Sequence, residues 1–524
     1  MRMHSAFARF WLFSGVAASV LVPAARGFAA DGSPIAMAVK DRDHAALRLL
    51  IDQRVDVNQP MADGATALHW AVYQDDVDTV RLLIGAGANV NAANRYGATP
   101  LWMASSEGNA GLVEVLLNAG ANPHAAALGG EPVLLAAARA GSLEAVKAIL
   151  ERGPDVNAKE ARHGQTALMV AAGGREPHPE IVQVLLEYGA DVNVRAAAGL
   201  TPLLFAVRQG DLASTQLLVK AGANVNEQAT PPNGAHMEIF SDQSWSYPHA
   251  DTSSALTIAV NNGYYELAAF LLESGANPNV AGDPYPYRTR PNHTLARESL
   301  KPGLTSLHAL MVRRASAAGR NEDDQTLALI KAMIEHGADV NAKTPSVRAP
   351  EIQQPNPQPA ITWVEAGGIT PFWIAANTLD IEAMKLLVAS GADPRLASME
   401  QTTPLMVAAG LGTRTRGPSS GLGRREGTDV NEVVKLLLEW GNDINAANEH
   451  GQTALHGAAF AVAHRTVQFL VDNGARTDLV DVMGRRPLEV AKDSLRVEYR
   501  PSLQNHDPAD VEQTIALLEQ LTGN

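Results

Sequence analysis

A five-residue phrase that returns at a fixed interval constrains the fold of this chain more than any other feature. Gly-Ala-Asn-Val-Asn stands at 87–91, and close variants follow along the chain. Their first residues are repeatedly 33 positions apart: Gly87, Gly120 and Gly153; Gly189 and Gly222; Gly441 and Gly474. One unit of this length cannot bury its own apolar faces, so stacked neighbours must share a core. The sequence therefore predicts a long repeat array.

A second phrase, Thr-x-Leu-His or a close variant, opens most units in fixed phase with the first. It occurs at 66–69, 99–102, 201–204, 305–308, 370–373, 403–406 and 453–456. In the unit 64–96, Thr66 is a suitable N-cap for a first helix near Ala67–Tyr73. Asp75 and Asp76 then start a second helix, and Gly87 is expected to end it in the left-handed conformation.

The two phrases together resemble the ankyrin repeat, whose period is 33 residues and whose opening reads Thr-Pro-Leu-His. The resemblance covers nearly all of residues 31–524. It implies an all-α solenoid of about 12 helix-turn-helix repeats, with first helices lining a concave face and with long inserted finger loops. It also implies that His69, His308 and His456 bridge backbone and threonine groups of neighbouring units. Six aromatic residues lie in or near first helices: Trp70, Tyr73, Trp102, Phe205, Trp373 and Phe460.

The first 29 residues are expected to be a cleaved secretory signal peptide. Arg2 and Arg9 precede an apolar stretch at 10–22, which is too short to span a bilayer of ~30 Å. Gly27 and Ala29 suit cleavage after Ala29, and an uncleaved anchor is the alternative. Cleavage would remove three arginines, changing the formal net charge from −14 to −17. Export of a chain with no cysteine favours the periplasm, so the resemblance is to exported bacterial ankyrin proteins.

The period and its interruptions divide the chain into six segments. We predict a signal peptide at 1–29, an N-terminal capping repeat at 30–63, uninterrupted repeats at 64–226, repeats with finger insertions at 227–401, repeats with an Arg/Gly-rich loop at 402–483, and a C-terminal capping repeat at 484–524. That last repeat should end in an amphipathic helix near 511–521. Altered terminal repeats are what a solenoid needs to remain soluble.

Insertions interrupt the period in two sets. Finger insertions at 227–252, 281–302 and 342–367 interrupt consecutive junctions and should emerge side by side. Insertions at 173–179, 313–325 and 411–430 fall between first and second helices, and the last is a flexible basic loop with Arg414, Arg416, Arg424 and Arg425. The finger insertions are rich in aromatic residues, and we predict that eight of their residues bind a partner: Phe240, Trp245, Tyr247, His249, Tyr285, Tyr287, Arg288 and Trp363. The alternative is that these loops pack on each other.

Composition and motifs argue against several classes of chemistry. Zero cysteines exclude disulfides and thiolate metal sites, and the acidic balance argues against nucleic-acid binding. No metal-ligand, nucleophile-elbow or phosphate-loop signature occurs in the required context. We therefore expect no catalytic residue, no cofactor and no metal. No apolar run after the signal peptide is long enough to span a membrane.

The leading interpretation is a monomeric, secreted or periplasmic scaffold that binds a protein partner through its concave face and its aromatic finger loops. A periplasmic small-ligand receptor or enzyme is the second, with His249, Asp251, Asp283 and His293 as candidate polar groups. A third is a chaperone-like protector of an exported enzyme.

Overall fold

The computed structural model describes residues 33–127, 129–228, 254–281, 304–316, 323–345, 367–411, 427–493 and 508–523. Within these ranges the chain is all-α, with 24 helices, no strand and only isolated β-bridge residues, such as the pair Gln228 and Ser254. The predicted fold class is therefore confirmed. The chain divides after residue 128 into two compact units, called unit 1 and unit 2 below.

Unit 1 consists of three helix pairs. Its helices are α1 (Pro34–Lys40), α2 (His44–Asp52), α3 (Ala67–Tyr73), α4 (Val77–Gly85), α5 (Pro100–Ser106) and α6 (Ala110–Asn118). The first helices stack on one another in the order α1, α3, α5, and each packs against the second helix of its own pair. The N-terminal capping repeat is thus a helix pair like its neighbours.

Unit 2 continues the same architecture with nine further pairs, which brings the number of pairs to the predicted 12. Its helices are α7 (Val133–Arg139), α8 (Leu143–Leu150), α9 (Ala167–Gly173), α10 (Pro179–Glu187), α11 (Pro202–Gln209), α12 (Leu212–Lys220), α13 (Ala255–Asn262), α14 (Tyr265–Glu273), α15 (Ser306–Ser316), α16 (Asp323–Glu335), α17 (Pro371–Asn377), α18 (Ile381–Ala389), α19 (Pro404–Ala409), α20 (Val430–Glu439), α21 (Ala454–Phe460), α22 (His464–Asp472), α23 (Pro487–Asp493) and α24 (Pro508–Thr522). The last helix packs on α22 and α23, as expected for a capping helix, and is longer than predicted.

The local rules inferred for the unit 64–96 hold in the structure. The first helix spans Ala67–Tyr73 as predicted, and the Asp76 carboxylate accepts a hydrogen bond from the Thr79 N–H at 2.9 Å. Gly87 follows the second helix with φ +88°, so the left-handed end is confirmed. Arg54 takes the equivalent position in the first pair with φ +56°, a conformation that costs a non-glycine residue roughly 1–2 kcal/mol.

The predicted insertion at 313–325 is partly wrong. Helix α15 runs to Ser316 and α16 begins at Asp323, so both ends of that interval are helical. The insertion at 173–179 is shorter by its two end residues, because α9 ends at Gly173 and α10 begins at Pro179. The insertion at 411–430 falls between α19 and α20 except for Val430, which begins α20.

Candidate partner-binding surfaces

The eight predicted partner-binding residues lie outside the described residues: Phe240, Trp245, Tyr247, His249, Tyr285, Tyr287, Arg288 and Trp363. The same holds for the candidate polar groups of the enzyme interpretation, His249, Asp251, Asp283 and His293, and for the arginines of the basic loop, Arg414, Arg416, Arg424 and Arg425. The structure does describe the residues on either side of each finger insertion. These residues in unit 2 and, separately, the surface of the first helices in unit 1 are the candidate surfaces.

We call the described residues on either side of a finger insertion its root. Specific hydrogen bonds hold these roots in place. A β-bridge between Gln228 and Ser254 closes the first root. The Gln228 side chain donates to the Ala281 carbonyl at 2.9 Å, which joins the first root to the second. At the third root, the Thr344 N–H donates to the Ile369 carbonyl at 3.0 Å. The chain therefore leaves and re-enters the repeats at closed, ordered positions.

A ladder of asparagines passes the three insertions without interruption. Asn226, Asn279 and Asn341 donate to the carbonyls of Gly275, Gly337 and Gly391 at 3.3, 2.7 and 3.0 Å. These partners are 49, 58 and 50 residues apart in sequence. Asn58 makes the same bond to Gly87 over only 29 residues. The insertions therefore leave the packing of adjacent repeats unchanged.

Glu227, the first residue of the first finger insertion, has a partner within the fold. The Glu227 carboxylate forms an ion pair with the Arg195 guanidinium from the preceding repeat. Arg195 also donates to the carbonyls of Gly199 at 2.8 Å and Gln228 at 3.2 Å. Glu227 thus fixes the root of the insertion and is not one of the charges that the insertion offers to a partner.

Unit 1 carries an aromatic platform on its first helices. The Lys40 ammonium lies 5.0 Å from the centre of the Trp70 ring, a cation–π distance. Tyr73 meets Trp70 edge to face, with ring centres 5.8 Å apart. Trp70 is only 7% exposed, whereas Tyr73 is 40% exposed and Lys40 is exposed. We call Lys40, Trp70 and Tyr73 the unit 1 platform; Lys40 and Tyr73 face solvent, and Trp70 supports them.

A hydrogen bond from Trp70 anchors the platform to the loop that precedes α3. The 33-residue period of the sequence also contains a signal for the platform. The Trp70 indole N–H donates to the Met61 sulfur at 3.0 Å. Lys40 and Tyr73 are 33 residues apart, so both occupy the same position of successive repeats. Lys40 was missed in the sequence because it falls in the capping repeat, which lacks the opening phrase. Aligning the capping repeat by period alone would have found it.

The other aromatic residues of the first helices serve mainly as core. Trp373 is 2% exposed and its indole N–H donates to the Thr402 carbonyl at 3.0 Å. Phe460 is also buried, and Phe205 packs against Gly173. Trp102 occupies the position of the motif histidine, and its indole nitrogen is buried with no hydrogen-bond partner among the described residues. Tyr73 is therefore the aromatic residue of this group that offers most surface.

The three motif histidines are structural, as the resemblance implies. The His69 Nδ1 atom accepts from the Thr66 N–H at 3.1 Å, so Nε2 carries the proton and donates to the Ala98 carbonyl at 3.0 Å. His308 reaches the Ile369 carbonyl at 3.0 Å, and His456 reaches the Arg485 carbonyl at 3.1 Å. Burial lowers the pKa of all three, and that of His308 falls to about 4. These residues are neutral at physiological pH and connect neighbouring repeats.

Charged side chains near the helix starts also have structural partners. Glu131 pairs with Arg139 at 3.0 Å, and burial raises the pKa of the Glu131 carboxyl. Glu160 accepts from the N–H groups of Arg162 and His163, both at 2.6 Å, and so shapes its finger turn. Within the described ranges, no three His, Asp or Glu side chains form a group that could hold a metal ion. Of the helices that the structure describes, none is both long and apolar enough to cross a bilayer.

The chain matches models of repeat families over most of its repeats. A model for three copies of the ankyrin repeat matches residues 35–127, 133–229 and 425–512, together more than half of the chain. A single-repeat ankyrin model matches residues 252–283. The matched regions include both units and reach the residues on both sides of the first finger insertion.

Two curated relatives show local similarity. The chain is 31% identical over 141 residues to the transient receptor potential cation channel subfamily A member 1 homolog of Caenorhabditis elegans, covering 26% of this chain and 10% of that protein. It is 38% identical over 63 residues to inversin of Danio rerio, covering 12% of this chain and 6% of that protein. The chain thus spans a tenth or less of these relatives. The repeat fold, the two recurring phrases and the family models agree: the chain belongs to the ankyrin-repeat family.

Proposed function

We propose that this protein is an exported scaffold that binds a protein partner and carries out no catalysis. Ankyrin repeats generally mediate protein–protein interaction, which sets the class of function. The unit 1 platform carries the proposal for this chain, because it presents Lys40 and Tyr73 to solvent above a fixed indole. The partner is a protein rather than a nucleic acid, since a net charge of −14 repels phosphates.

The platform has the physical properties of a binding hot spot. Tyrosine gives a large contact area with few rotatable bonds, and tyrosine and tryptophan are enriched among residues that dominate interface energies. Tyr73 and Lys40 are both held against Trp70, so less side-chain freedom is lost on binding than for isolated surface residues. The platform is in this respect preorganised for a partner.

The finger insertions are the second part of the proposed partner site. Their eight aromatic and charged residues remain a prediction from the sequence: Phe240, Trp245, Tyr247, His249, Tyr285, Tyr287, Arg288 and Trp363. Support comes from the roots, because Gln228 links the first to the second and the asparagine ladder keeps the flanking repeats in register. Insertions that start from fixed roots can present side chains to one partner together.

We further propose that the protein is monomeric and acts in the periplasm after cleavage behind Ala29. The basic, apolar and small-residue regions of the first 29 residues support this. Mass spectrometry of the protein from a periplasmic fraction should find a chain beginning at Ala30. A full-length chain in the membrane fraction would instead show an uncleaved anchor.

Partner capture from periplasmic extract tests the function. The wild type is compared with Lys40→Ala/Tyr73→Ala, with a variant lacking residues 232–250, and with Tyr188→Ala. Tyr188 is the matched control, because it is 47% exposed but lies at the end of a second helix. The platform variant should lose affinity for the captured partner by roughly tenfold or more, and Tyr188→Ala should bind normally. Equal capture by all four forms would contradict both proposed surfaces.

A further inference from the structure

We call the loop between the second helix of one repeat and the first helix of the next a finger. The fingers of successive repeats are joined by a recurring backbone hydrogen bond. In unit 2, the N–H groups of Met399, Glu449 and Val482 donate to the carbonyls of Gly367, Glu400 and His450 at 2.8, 3.0 and 2.9 Å. The same bond joins Arg95 to Asp63, Ala161 to Gly129, and Ala197 to His163. In all six pairs the acceptor directly precedes a residue with positive φ: Gly64, Gly130, Gly164, Gly368, Gln401 or Gly451. The acceptor position of any finger can therefore be identified.

The last finger of this series leaves its acceptor open. Met483 directly precedes Gly484, whose φ is +75°, so the Met483 carbonyl is the next acceptor. No described residue donates a hydrogen bond to it. Helix α24 covers the end of the helix stack by packing on α22 and α23, but it is not a further finger. Within the described part of the chain, the finger series thus ends in a backbone acceptor that has no donor, comparable to the edge of a β-sheet.

The same finger exposes apolar side chains. Val480, Val482 and Met483 are 49%, 70% and 53% exposed. The preceding finger carries Glu449 and His450 at the corresponding places. Exposed apolar side chains beside an open backbone edge are the combination that extended peptide segments recognise, with the backbone giving affinity and the side chains giving specificity.

The last finger is also rigid. The Asp481 carboxylate accepts from the N–H groups of Met483 and Arg485, both at 2.9 Å. It is 4% exposed and forms an ion pair with the Arg485 guanidinium at 2.7 Å. The exposed side chains therefore stand on a turn that is already fixed, so a ligand need not order it.

We propose that the edge formed by Val480, Val482 and Met483 binds an extended segment of another protein. That segment donates a backbone N–H to the Met483 carbonyl and places uncharged apolar side chains on Val482 and Met483. The bound segment takes the place that the finger of one more repeat would occupy. A second copy of the same edge does not fit, because two Met483 carbonyls would face each other and both are acceptors. This edge is a different surface from the unit 1 platform.

A peptide with the sequence of residues 479–486 is a suitable probe. It is acetyl-Leu-Val-Asp-Val-Met-Gly-Arg-Arg-amide, and its second valine carries the N–H that donates to His450 in the chain. Its binding to the full-length protein is measured by peptide-observed NMR titration. The matched peptide carries one N-methyl group on that second valine, which replaces the N–H donor by a methyl group and leaves every side chain unchanged. We expect a dissociation constant below about 1 mM for the first peptide and at least tenfold weaker binding of the second.

Two protein variants locate the site. Val482→Ser/Met483→Ser should weaken binding of the unmodified peptide at least tenfold. Met399→Ser is the control, because Met399 is 52% exposed on a finger whose carbonyl acceptor, that of Glu400, is already bonded to Glu449; it should bind normally. Equal binding of both peptides, equal binding to both variants, or no binding at 1 mM would each overturn the proposal. Sedimentation showing dimers of the wild type that Val482→Ser/Met483→Ser abolishes would assign the edge to a second copy instead.

Discussion

The guanidinium of Arg314 and the carboxylate of Asp380 form a fully buried ion pair, with Nε and Oδ2 2.6 Å apart, although the two residues are 66 positions apart in sequence. Arg314 is 0% exposed and Asp380 is 2% exposed. Arg314 also donates to the Asp323 carbonyl at 2.7 Å and to the Thr326 hydroxyl at 2.6 Å, both in α16. One side chain therefore joins α15, α16 and the repeat that begins at α17. These bonds join the end of α15 to the start of α16, both of which lie in the interval predicted to be a loop.

Replacing Arg314 should destabilise the fold strongly. Arg314→Met leaves the Asp380 carboxylate buried without its cation, a situation that costs about 3–5 kcal/mol. Each single replacement leaves the other residue of the pair buried without its partner. The double variant Arg314→Met/Asp380→Asn should therefore lose less free energy of unfolding than the sum of the losses in the two single variants. Urea unfolding followed by circular dichroism measures both effects.

The exposed pair of Arg395 and Asp393 is the control for this experiment. Its atoms are 3.0 Å apart, but Arg395 is 64% exposed, so water screens the pair and Arg395→Met should cost far less than Arg314→Met. A similar loss for Arg314→Met and Arg395→Met would show that the buried pair does not hold these repeats together.

Stability should fall as the pH is lowered from neutral. The native pKa of His308 is about 4, because burial disfavours the charged imidazole, whereas its ordinary value is 6.5. Between pH 6.5 and pH 4, His308 is protonated in the unfolded chain but stays neutral in the native chain. The contribution of His308 to the free energy of unfolding is therefore fully present above pH 6.5 and is lost as the pH falls towards 4. At pH 5 this one residue should account for about 2 kcal/mol.

The variant His308→Gln tests the sign of this effect. It removes the titrating group, so its urea midpoint should change less between pH 7 and pH 5 than that of the wild type. Its midpoint at pH 7 should be lower, because the bonds to Thr305 and Ile369 are altered. The change of the urea midpoint with pH is the informative quantity. If it is the same in His308→Gln and in the wild type, His308 does not set the acid sensitivity.

The sequence predicted the fold through groups that act locally. The αL position of Gly87 and the bridging role of His69 follow from a short motif, so both were predicted and both are confirmed. Arg314 could not be predicted in the same way, because its partner Asp380 lies in the next repeat and no motif records the pair. The unit 1 platform falls between these cases, since the 33-residue period places Lys40 beside Tyr73 but does not show that Lys40 lies on Trp70.

Two glycines should respond to alanine in opposite directions. An alanine Cβ at Gly457, inside α21, would lie 2.6 Å from the Leu411 backbone nitrogen and 3.1 Å from the Met406 carbonyl oxygen. Gly457→Ala should therefore force α21 away from α19 and cost about 1–3 kcal/mol. Gly85 ends α4 with no atom within 4 Å of such a Cβ. Gly85→Ala should raise stability by roughly 0.4–1 kcal/mol, because alanine loses less backbone entropy on folding. Thermal unfolding distinguishes them, and a loss in both variants would contradict the open environment of Gly85.

Removing the second finger insertion should leave the repeats folded. Replacing residues 282–303 by Asn-Arg-Tyr-Gly, the sequence of 94–97, gives that junction a finger of ordinary length. The inter-repeat bonds from Asn279 to Gly337 and Asp339, both 2.7 Å long, involve no residue of the replaced segment. Each halving of loop length removes about 0.6 kcal/mol of closure cost, so the shorter finger should raise the free energy of unfolding by no more than about 1.5 kcal/mol.

Asn279→Ala is the matched opposite of that replacement, because it keeps the insertion and removes the ladder contact. It should cost about 1–2 kcal/mol, since the Gly337 carbonyl and the Asp339 N–H both lose their partner. The replacement should be the more stable of the two variants, but it should capture less partner than Asn279→Ala. The replacement, which lacks Tyr285, Tyr287 and Arg288, should bind the partner more weakly than Asn279→Ala does. If the replacement unfolds while Asn279→Ala is stable, the insertion and not the ladder holds this junction, and the finger segments are part of the core.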